Sequence, residues 1–529
     1  MTTLRTLSLA VAAAAVSLAA GCKDFLDVNT NPNAPTTVTA NLYLPPMIHW
    51  LVTSPMYDAR FVGRYTQEWT VPVTTSTPST WDRMGYDPSS DNGGEQWRDV
   101  YWTYGQNLVD MMTKAQAEQR WDLLGVGQVL KAWGWQVLTD LHGEIIIKEA
   151  FDQTRFSFDY DTQEYAYQVV DSLLGEAIKN LKRTDGAVDQ VYLARGDKLY
   201  NGDRTKWLKF AYGLRALSRN HFTNKSTYNP AQVVAYVDSS FTSSADDAVF
   251  GFTNADPAFA DYNFLGQSRG NFQGYRQTQF AVALMDGTDF GVVDPRLTRM
   301  LAPSPDGQFR GLDPNNPNGP IPTNSQTYPN DFYGAPGTAR PTPGRYLFDD
   351  KVKMPVMTYA QLQFVKAEAA YRRGDKSTAL AAYKNGISSH IDFVNARLAE
   401  VGNAANPPIS AAEKNAFLAS TAVVPTDPNA LTLTQIMSQK YIAQWGWGHN
   451  EMWMDMRRYH YTDADPASGK QVFPAFAIPT NLYPDNGGKP AYRIRPRYNS
   501  EYVWNKPGLQ VIGGLDADYQ TKPLWIVQP

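Results

Sequence analysis

Apolar residues recur at three- and four-residue steps in one stretch of this chain after another. That spacing commits much of it to amphipathic helices. In residues 95–118 the stripe is Trp97, Val100, Tyr101, Tyr104, Leu108 and Met111. In 122–140 it is Leu124, Val126, Val129, Trp133 and Val137, and in 161–182 it is Tyr167, Val170, Leu174, Ile178 and Leu181. A further helix is predicted after Asp203, whose carboxylate suits an N-cap, with Trp207, Phe210, Ala211, Leu214 and Leu217 as its buried stripe. Asn229 then caps a helix that carries Pro230 at its first position. Residues 358–398 read as two helices joined at Gly374-Asp375, with Ala379 and Tyr383 four apart as in the second helix of a tetratricopeptide unit. The expected fold is mainly α, a tetratricopeptide-like scaffold of helical hairpins with few short strands.

Two stretches break the pattern. Residues 301–345 hold ten prolines and six glycines, a composition that neither a helix nor a central strand tolerates. A loop that long is functional or disordered, and Tyr328, Phe332, Tyr333 and Tyr346 favour an ordered, functional one. Residues 70–94 carry Trp81 and Tyr86 among Thr, Ser, Pro and Gly. The chain has 14 Trp, 30 Tyr and 23 Phe, so some rings are expected on the surface, where aromatic faces grip sugars or flat ligands.

The lone cysteine, Cys22, follows a short apolar run from Leu7 to Ala20 with Arg5 before it. The run is shorter than the ~20 residues of a membrane-spanning helix and suits the core of a secretory signal peptide. Ala19, Ala20 and Gly21 lead into Cys22 in a pattern that resembles a bacterial lipobox, with Ala19 where leucine is usual. The alternative is an ordinary signal peptide followed by an unmodified thiol. Lipidation is the better reading, because a single cysteine cannot form an internal disulfide and a bare thiol is a liability in an oxidising compartment. Removing residues 1–21 takes away one Arg, so the mature chain has 47 basic and 52 acidic residues, a net charge of −5. That balance argues against a nucleic-acid partner.

Catalytic signatures are weak. Gly266-Gln267-Ser268-Arg269-Gly270 fits G-x-S-x-G, but neither a buried strand before it nor a convincing helix after it is predicted. His449 and Glu451 could ligate a metal, though two residues are not a site and local structural bonding is expected of them. The stretch 313–319, DPNNPNG, evokes a calcium loop whose closing position, 324, is Asn. No catalytic residue, cofactor or metal ligand is assigned. A carboxylate pair for glycoside hydrolysis remains an open alternative, since such pairs come from distant positions.

Several stretches together resemble the SusD/RagB family of outer-membrane nutrient-binding lipoproteins, in its starch-binding-associated branch. They run in family order: CKDFLDVNTNPN, EQWRDVYWTYGQNLVD, TDLHGEIIIKEAF, YNGDRTKWLKFAYGLRALSR, MTYAQLQFVKAEAAYRRGD, QKYIAQWGWGHNEMWMDMRRY and RPRYNSEYVWN. The resemblance implies a signal peptide over 1–21, a lipidated lead-in over 22–41, and one SusD-like helical domain over 42–529 with a long loop insertion around 301–345. It implies a non-enzymatic protein, lipid-anchored at Cys22 in the outer membrane and facing outward. Lys23 and Asp24 resemble the signal that sends such lipoproteins to the outer surface. Its partners would be an oligosaccharide or peptide and a SusC-like TonB-dependent transporter, over which it closes as a lid. Trp207, Glu451, Trp453, Arg457 and Arg458 match family positions and are read as packing and buried ion pairs. Ligand residues do not carry over from the family. The candidates are aromatics on long loops able to stack on sugar rings: Trp81, Tyr86, Tyr275, Phe332 and Tyr333. A surface glycoside hydrolase and a purely structural surface lipoprotein are the competing readings.

Overall fold

The computed structural model describes residues 38–529 except 73–76, 253–260, 262, 317–324, 335–343 and 402–405. The signal peptide, Cys22, Lys23 and Asp24 therefore lie outside the described residues, as does position 324.

The predicted helices form where the caps and stripes place them. The principal helices are α1 (Leu44–Tyr65), α2 (Gly105–Ala117), α3 (Trp121–His142), α4 (Gln163–Lys182), α5 (Arg204–Asn220), α6 (Pro230–Asp238), α7 (Tyr359–Arg372), α8 (Lys376–Val401), α9 (Ala411–Ala419), α10 (Leu433–Gln444) and α11 (His449–Arg458). Thr162 opens α4 by accepting from the Tyr165 amide, Asp203 opens α5 by accepting from Thr205 and Lys206, and Asn229 opens α6 by accepting from Gln232. Such caps satisfy amides that have no partner inside the helix. Gly374, at φ 84°, supplies the left-handed turn between α7 and α8.

These helices pack in a row. α3 lies on α4, α4 on α5, α5 on α6, α6 on α7, and α7 on α8 and α10. Each stripe faces its neighbour: Tyr167, Val170, Leu174, Ile178 and Leu181 are all buried, as are Trp207, Phe210, Ala211, Leu214 and Leu217. The scaffold is helical and tetratricopeptide-like. Strands are short: β1 (Trp69–Thr70) pairs antiparallel with β3 (Arg276–Gln277), and β2 (Ala248–Phe250) with β4 (Met354–Met357).

Four of the five family-matched residues behave as expected. Arg458 reaches Glu368 at 2.9 Å and Asp455 at 2.6 Å, and Lys440 reaches Asp455 at 2.8 Å, all fully buried. Glu451 pairs with His221 at 3.1 Å. Trp207 Nε1 donates to Asp197 at 2.8 Å, and Trp453 Nε1 to Tyr461 at 2.7 Å. Arg457 is buried and packs, but not as an ion pair. Among the described residues it has no carboxylate partner, and it donates to the carbonyls of Trp453, Asp140 and Tyr492 and lies 3.8 Å over the Trp453 ring. Burial lowers its pKa to about 10.

The single helix expected over 95–118 is also corrected. A short helical turn, Glu95–Arg98, runs into a π-helical segment, Asp99–Thr103, before α2 begins. The stripe survives the wider turn: Trp97, Val100 and Tyr104 point inward as expected, Tyr101 is half-buried, and Trp102, off the stripe, points outward.

Candidate functional site

A second π-helical segment, Tyr498–Tyr502, lines one cavity with the first. Single π turns are rare and concentrate at functional sites. Between the two segments is a cavity of about 620 Å3, lined by Trp97, Tyr101, Trp102, Phe151, Phe158 and Arg497 among others. That size suits a small-ligand pocket. Trp102, in its wall, is 74% exposed, and two further rings close in sequence to wall residues are exposed as well: Trp504 at 74%, three residues after Glu501, and Phe156 at 90%, two before Phe158. Apolar rings so exposed are unusual on a folded surface and mark contact sites when grouped.

The cations of this groove are matched within it. Arg98 pairs with Glu95 at 2.8 Å and with Asp99 at 3.4 Å. Arg497 pairs with Asp91 at 2.5 Å. Glu501 accepts from Tyr160 at 2.6 Å and from Asn505 at 2.9 Å. Behind the first π turn, the Asp99 carboxylate accepts from Thr103 at 2.6 Å and from Ser54. Asp58 accepts the Gln96 amide at 2.9 Å and the Glu95 amide at 3.3 Å, anchoring the preceding turn. Burial raises Asp58 and Glu95 to about 7 each, with the Asp99 charge adding to the shift in both.

A smaller recess of about 260 Å3 adjoins this cavity through the shared Arg497. Trp81, Tyr86, Asp87, Arg495, Tyr498 and Tyr502 are among its walls. Tyr498 and Tyr502 stack at 5.9 Å with 11° between their planes. The Arg495 guanidinium sits 4.1 Å over the Tyr86 ring, and the Tyr86 hydroxyl donates to Asp485 at 3.1 Å. Burial, ahead of the Asp485 contact, raises the Tyr86 pKa to about 12.

The structure thus brings Trp81 and Tyr86 to one recess, but Trp81 is not an exposed platform. Its ring is buried against Phe61 and Tyr65, with Nε1 donating to Asp87 at 2.8 Å. Phe332 and Tyr333 are corrected further. Phe332 stacks on Phe348 at 4.2 Å, inside a cluster with Trp69, Phe272 and Trp445. The Tyr333 hydroxyl donates to the Leu265 carbonyl at 2.9 Å. Tyr328 and Tyr346 are buried as well. These rings fold inward because a loop poor in aliphatic residues needs them to close its own core. Tyr275 is half-buried against Phe272, 5.4 Å from the Arg64 guanidinium, and away from both cavities. Trp102, Phe156 and Trp504 were missed by sequence reasoning. The signal for Trp102 was its place off the buried stripe of the same helical stretch.

The G-x-S-x-G match is a run of turns, in which Ser268 Oγ donates to Asp350 at 2.5 Å. His449 and Glu451 do not converge: His449 Nε2 donates to the Pro55 carbonyl at 2.8 Å, while Glu451 faces His221. In the stretch evoking a calcium loop, Asp313 turns back to accept from the Asn315 amide at 2.9 Å. Among the described residues, no helix is long and apolar enough to cross a membrane.

Residues 32–482 match the sequence profile of a SusD-like family, described as starch-binding and associating with the outer membrane. Among solved structures, a SusD/RagB family protein from Bacteroides thetaiotaomicron is 21% identical, with a TM-score of 0.69 over 93% of this chain and 99% of its own. A chitin-binding protein is 21% identical, with a TM-score of 0.63 over 93% and 100% of the two chains. A SusD homolog from Bacteroides fragilis is 17% identical, with a TM-score of 0.67 over 93% and 100%. At these identities the likeness concerns the fold. No curated protein matches the chain.

Proposed function

The chain belongs to this SusD-like family, and from that premise we propose that it is a cell-surface lipoprotein that captures an oligosaccharide in the groove between the two π segments. The observation that carries the reading is the exposed Trp102 ring in the wall of a cavity otherwise lined by Trp97, Tyr101, Phe151 and Phe158, with the exposed Phe156 and Trp504 close in sequence to the wall residues Phe158 and Glu501. Sugar rings present apolar C–H faces that stack on such platforms, while their hydroxyls turn to water and to polar rims. The paired charges of Arg98 and Arg497 favour a neutral glycan over an anionic one, because an acidic ligand would have to displace a carboxylate already in place. Tyr86 and the Tyr498–Tyr502 stack extend the same surface toward the second recess and offer further subsites.

The protein acts without cleaving its ligand. It is anchored through acyl chains on Cys22, each buried methylene contributing about 0.8 kcal/mol. It hands the glycan to a SusC-like TonB-dependent transporter, over which it closes as a lid. Residues 1–21 are removed on export, and 42–529 work as one domain.

Electrophoresis of the purified protein through gels containing starch and other neutral polysaccharides tests the capture step. Retardation without release of reducing sugar is expected. Cleavage of any polysaccharide in the set would replace the reading with a hydrolase, and migration unchanged in every gel, including one made with the natural growth substrate, would leave only a structural role. Extraction in mild detergent should bring a TonB-dependent transporter down with the protein, and its repeated absence would remove the lid.

A further inference from the structure

A separate, smaller cavity lies inside the scaffold, where α1, α3, α5, α7, β4 and α11 meet. It measures about 70 Å3, and among its walls are Leu51, Pro55, Gln136, Asp140, Gln361, Asn450 and Glu451. Two carboxylates and three amide side chains face this space, and no basic side chain is part of its wall.

The amide orientations are determined by their outer partners. Gln136 Nε2 donates to Asp140 at 2.8 Å, so its Oε1 must turn the other way, and that oxygen is buried without a hydrogen-bond partner. Asn450 Nδ2 donates to Gln96 Oε1 at 2.7 Å, and Gln96 in turn donates to Asp58 at 3.3 Å, so the chain of donors leaves Asn450 Oδ1 buried and unpartnered. Gln361 Oε1 is unpartnered as well. Gln136 is 2% exposed and Gln361 1%, so bulk water does not serve them. A buried acceptor left unpaired costs about 1–3 kcal/mol, and here three share one cavity.

Glu451 adds charge to this set. Its Oε2 takes the hydrogen bond from His221 Nε2 at 3.1 Å, and its side chain is part of the cavity wall. Asp140, His221 and Glu451 bring one ligand atom each within 4.8 Å of one another. A further oxygen comes from the backbone. Pro55 interrupts α1 and has no N–H to give to the Leu51 carbonyl one turn earlier, and both residues line the cavity.

We propose that this cavity is a binding site for a hard, oxygen-seeking cation of the calcium or sodium type, held by Glu451 and the amide oxygens of Gln136, Gln361 and Asn450. Three amide oxygens in the walls have no donor, and the Glu451 carboxylate, with one oxygen held by His221, adds charge beside them, which is the chemistry such ions select. The volume admits an ion together with a few waters. The ion would tie α1, α3, α7 and α11 together at the centre of the scaffold. It lies apart from the aromatic groove, shares no wall residue with it, and does not depend on what the groove binds.

The test uses the mature protein freed of metal by chelation and dialysed into choline buffer. Elemental analysis after addition of calcium or sodium should find one ion retained per chain, and the melting temperature should rise saturably by about 2–4 °C. Glu451→Gln should abolish the rise. Should that variant fail to fold, Gln361→Glu adds a carboxylate to the same wall and should tighten the ion about tenfold. Identical melting with and without calcium, magnesium, sodium and potassium, and no retained ion, would overturn the proposal in favour of water alone. A response to zinc or copper only would also overturn it, by moving the ligand set to the His221 nitrogens.

Discussion

Phe332 and Trp102 are both aromatic residues outside the regular α-helices, yet one is 1% exposed and the other 74%. Phe332 comes from the Pro- and Gly-rich stretch, where the binding surface was expected. Trp102 comes from a stretch read as helix, off its buried stripe, where no binding surface was expected. The difference lies in what each backbone can bury. The described parts of residues 301–345 have few aliphatic side chains, so their rings close over Trp69, Phe348 and Trp445 and hold the loop to the scaffold. The stretch 95–117 fills its inward face with Trp97, Val100, Tyr104, Leu108 and Met111, which leaves Trp102, off that stripe, facing outward. Composition identified the aromatic supply in both regions, but backbone phase decided its destination.

The largest separation of the two regions should come from deleting a ring in each. Phe348→Ala should cost about 3–5 kcal/mol of stability, seen as a lower midpoint in chemical denaturation, because it leaves a cavity among Trp69, Phe272, Phe332 and Trp445. Trp102→Ala should stay within about 0.5 kcal/mol of the parent in the same measurement. Equal losses in the two variants would erase the distinction between core and rim.

A second contrast is in pH. Burial disfavours the His221 imidazolium, but the Glu451 and Asp140 carboxylates outweigh it and raise its pKa to about 9. A raised histidine pKa stabilises fully below its unfolded value of about 6.5, and that contribution is lost as pH climbs through about 9. The scaffold should therefore weaken by up to about 3 kcal/mol across that window, and His221→Gln should flatten the slope. A stability profile level from about pH 7 to 10 in the parent would contradict the paired-histidine account. Asp58 and Glu95, raised to about 7, give a decline that is largely finished before the upper part of this window.

Smaller effects belong to the rim. Removing the Trp102 ring should weaken glycan binding by about 2 kcal/mol, roughly thirtyfold, the scale of a stacked aromatic anchor. Phe156→Ala, at the more exposed position, should cost about 1 kcal/mol or less, read by the same titration. A larger loss at Phe156 than at Trp102 would move the centre of the site to the 150s loop.

Much of the scaffold was legible because helix stripes and caps are local. Asp203 and Asn229 announce their helices within three residues, and Gly374 marks the turn of a hairpin. The groove was less legible because its parts come from residues 97–102, 146–158 and 497–501, joined only by the fold. Neither π turn has a spacing that differs from an α-helix over so few residues. The π turn also explains why a continuous helix was predicted across 95–118. Arg457 shows another limit: a buried guanidinium can be satisfied by carbonyls, which no sequence pattern announces.

The most direct test of the central claim is calorimetric titration of the double variant Trp102→Ala/Trp504→Ala against the polysaccharide that retards the parent in gels, with melting temperature measured alongside. The account predicts that binding falls below detection while melting stays within about 2 °C of the parent. Parent-level affinity in a normally folded double variant would contradict it.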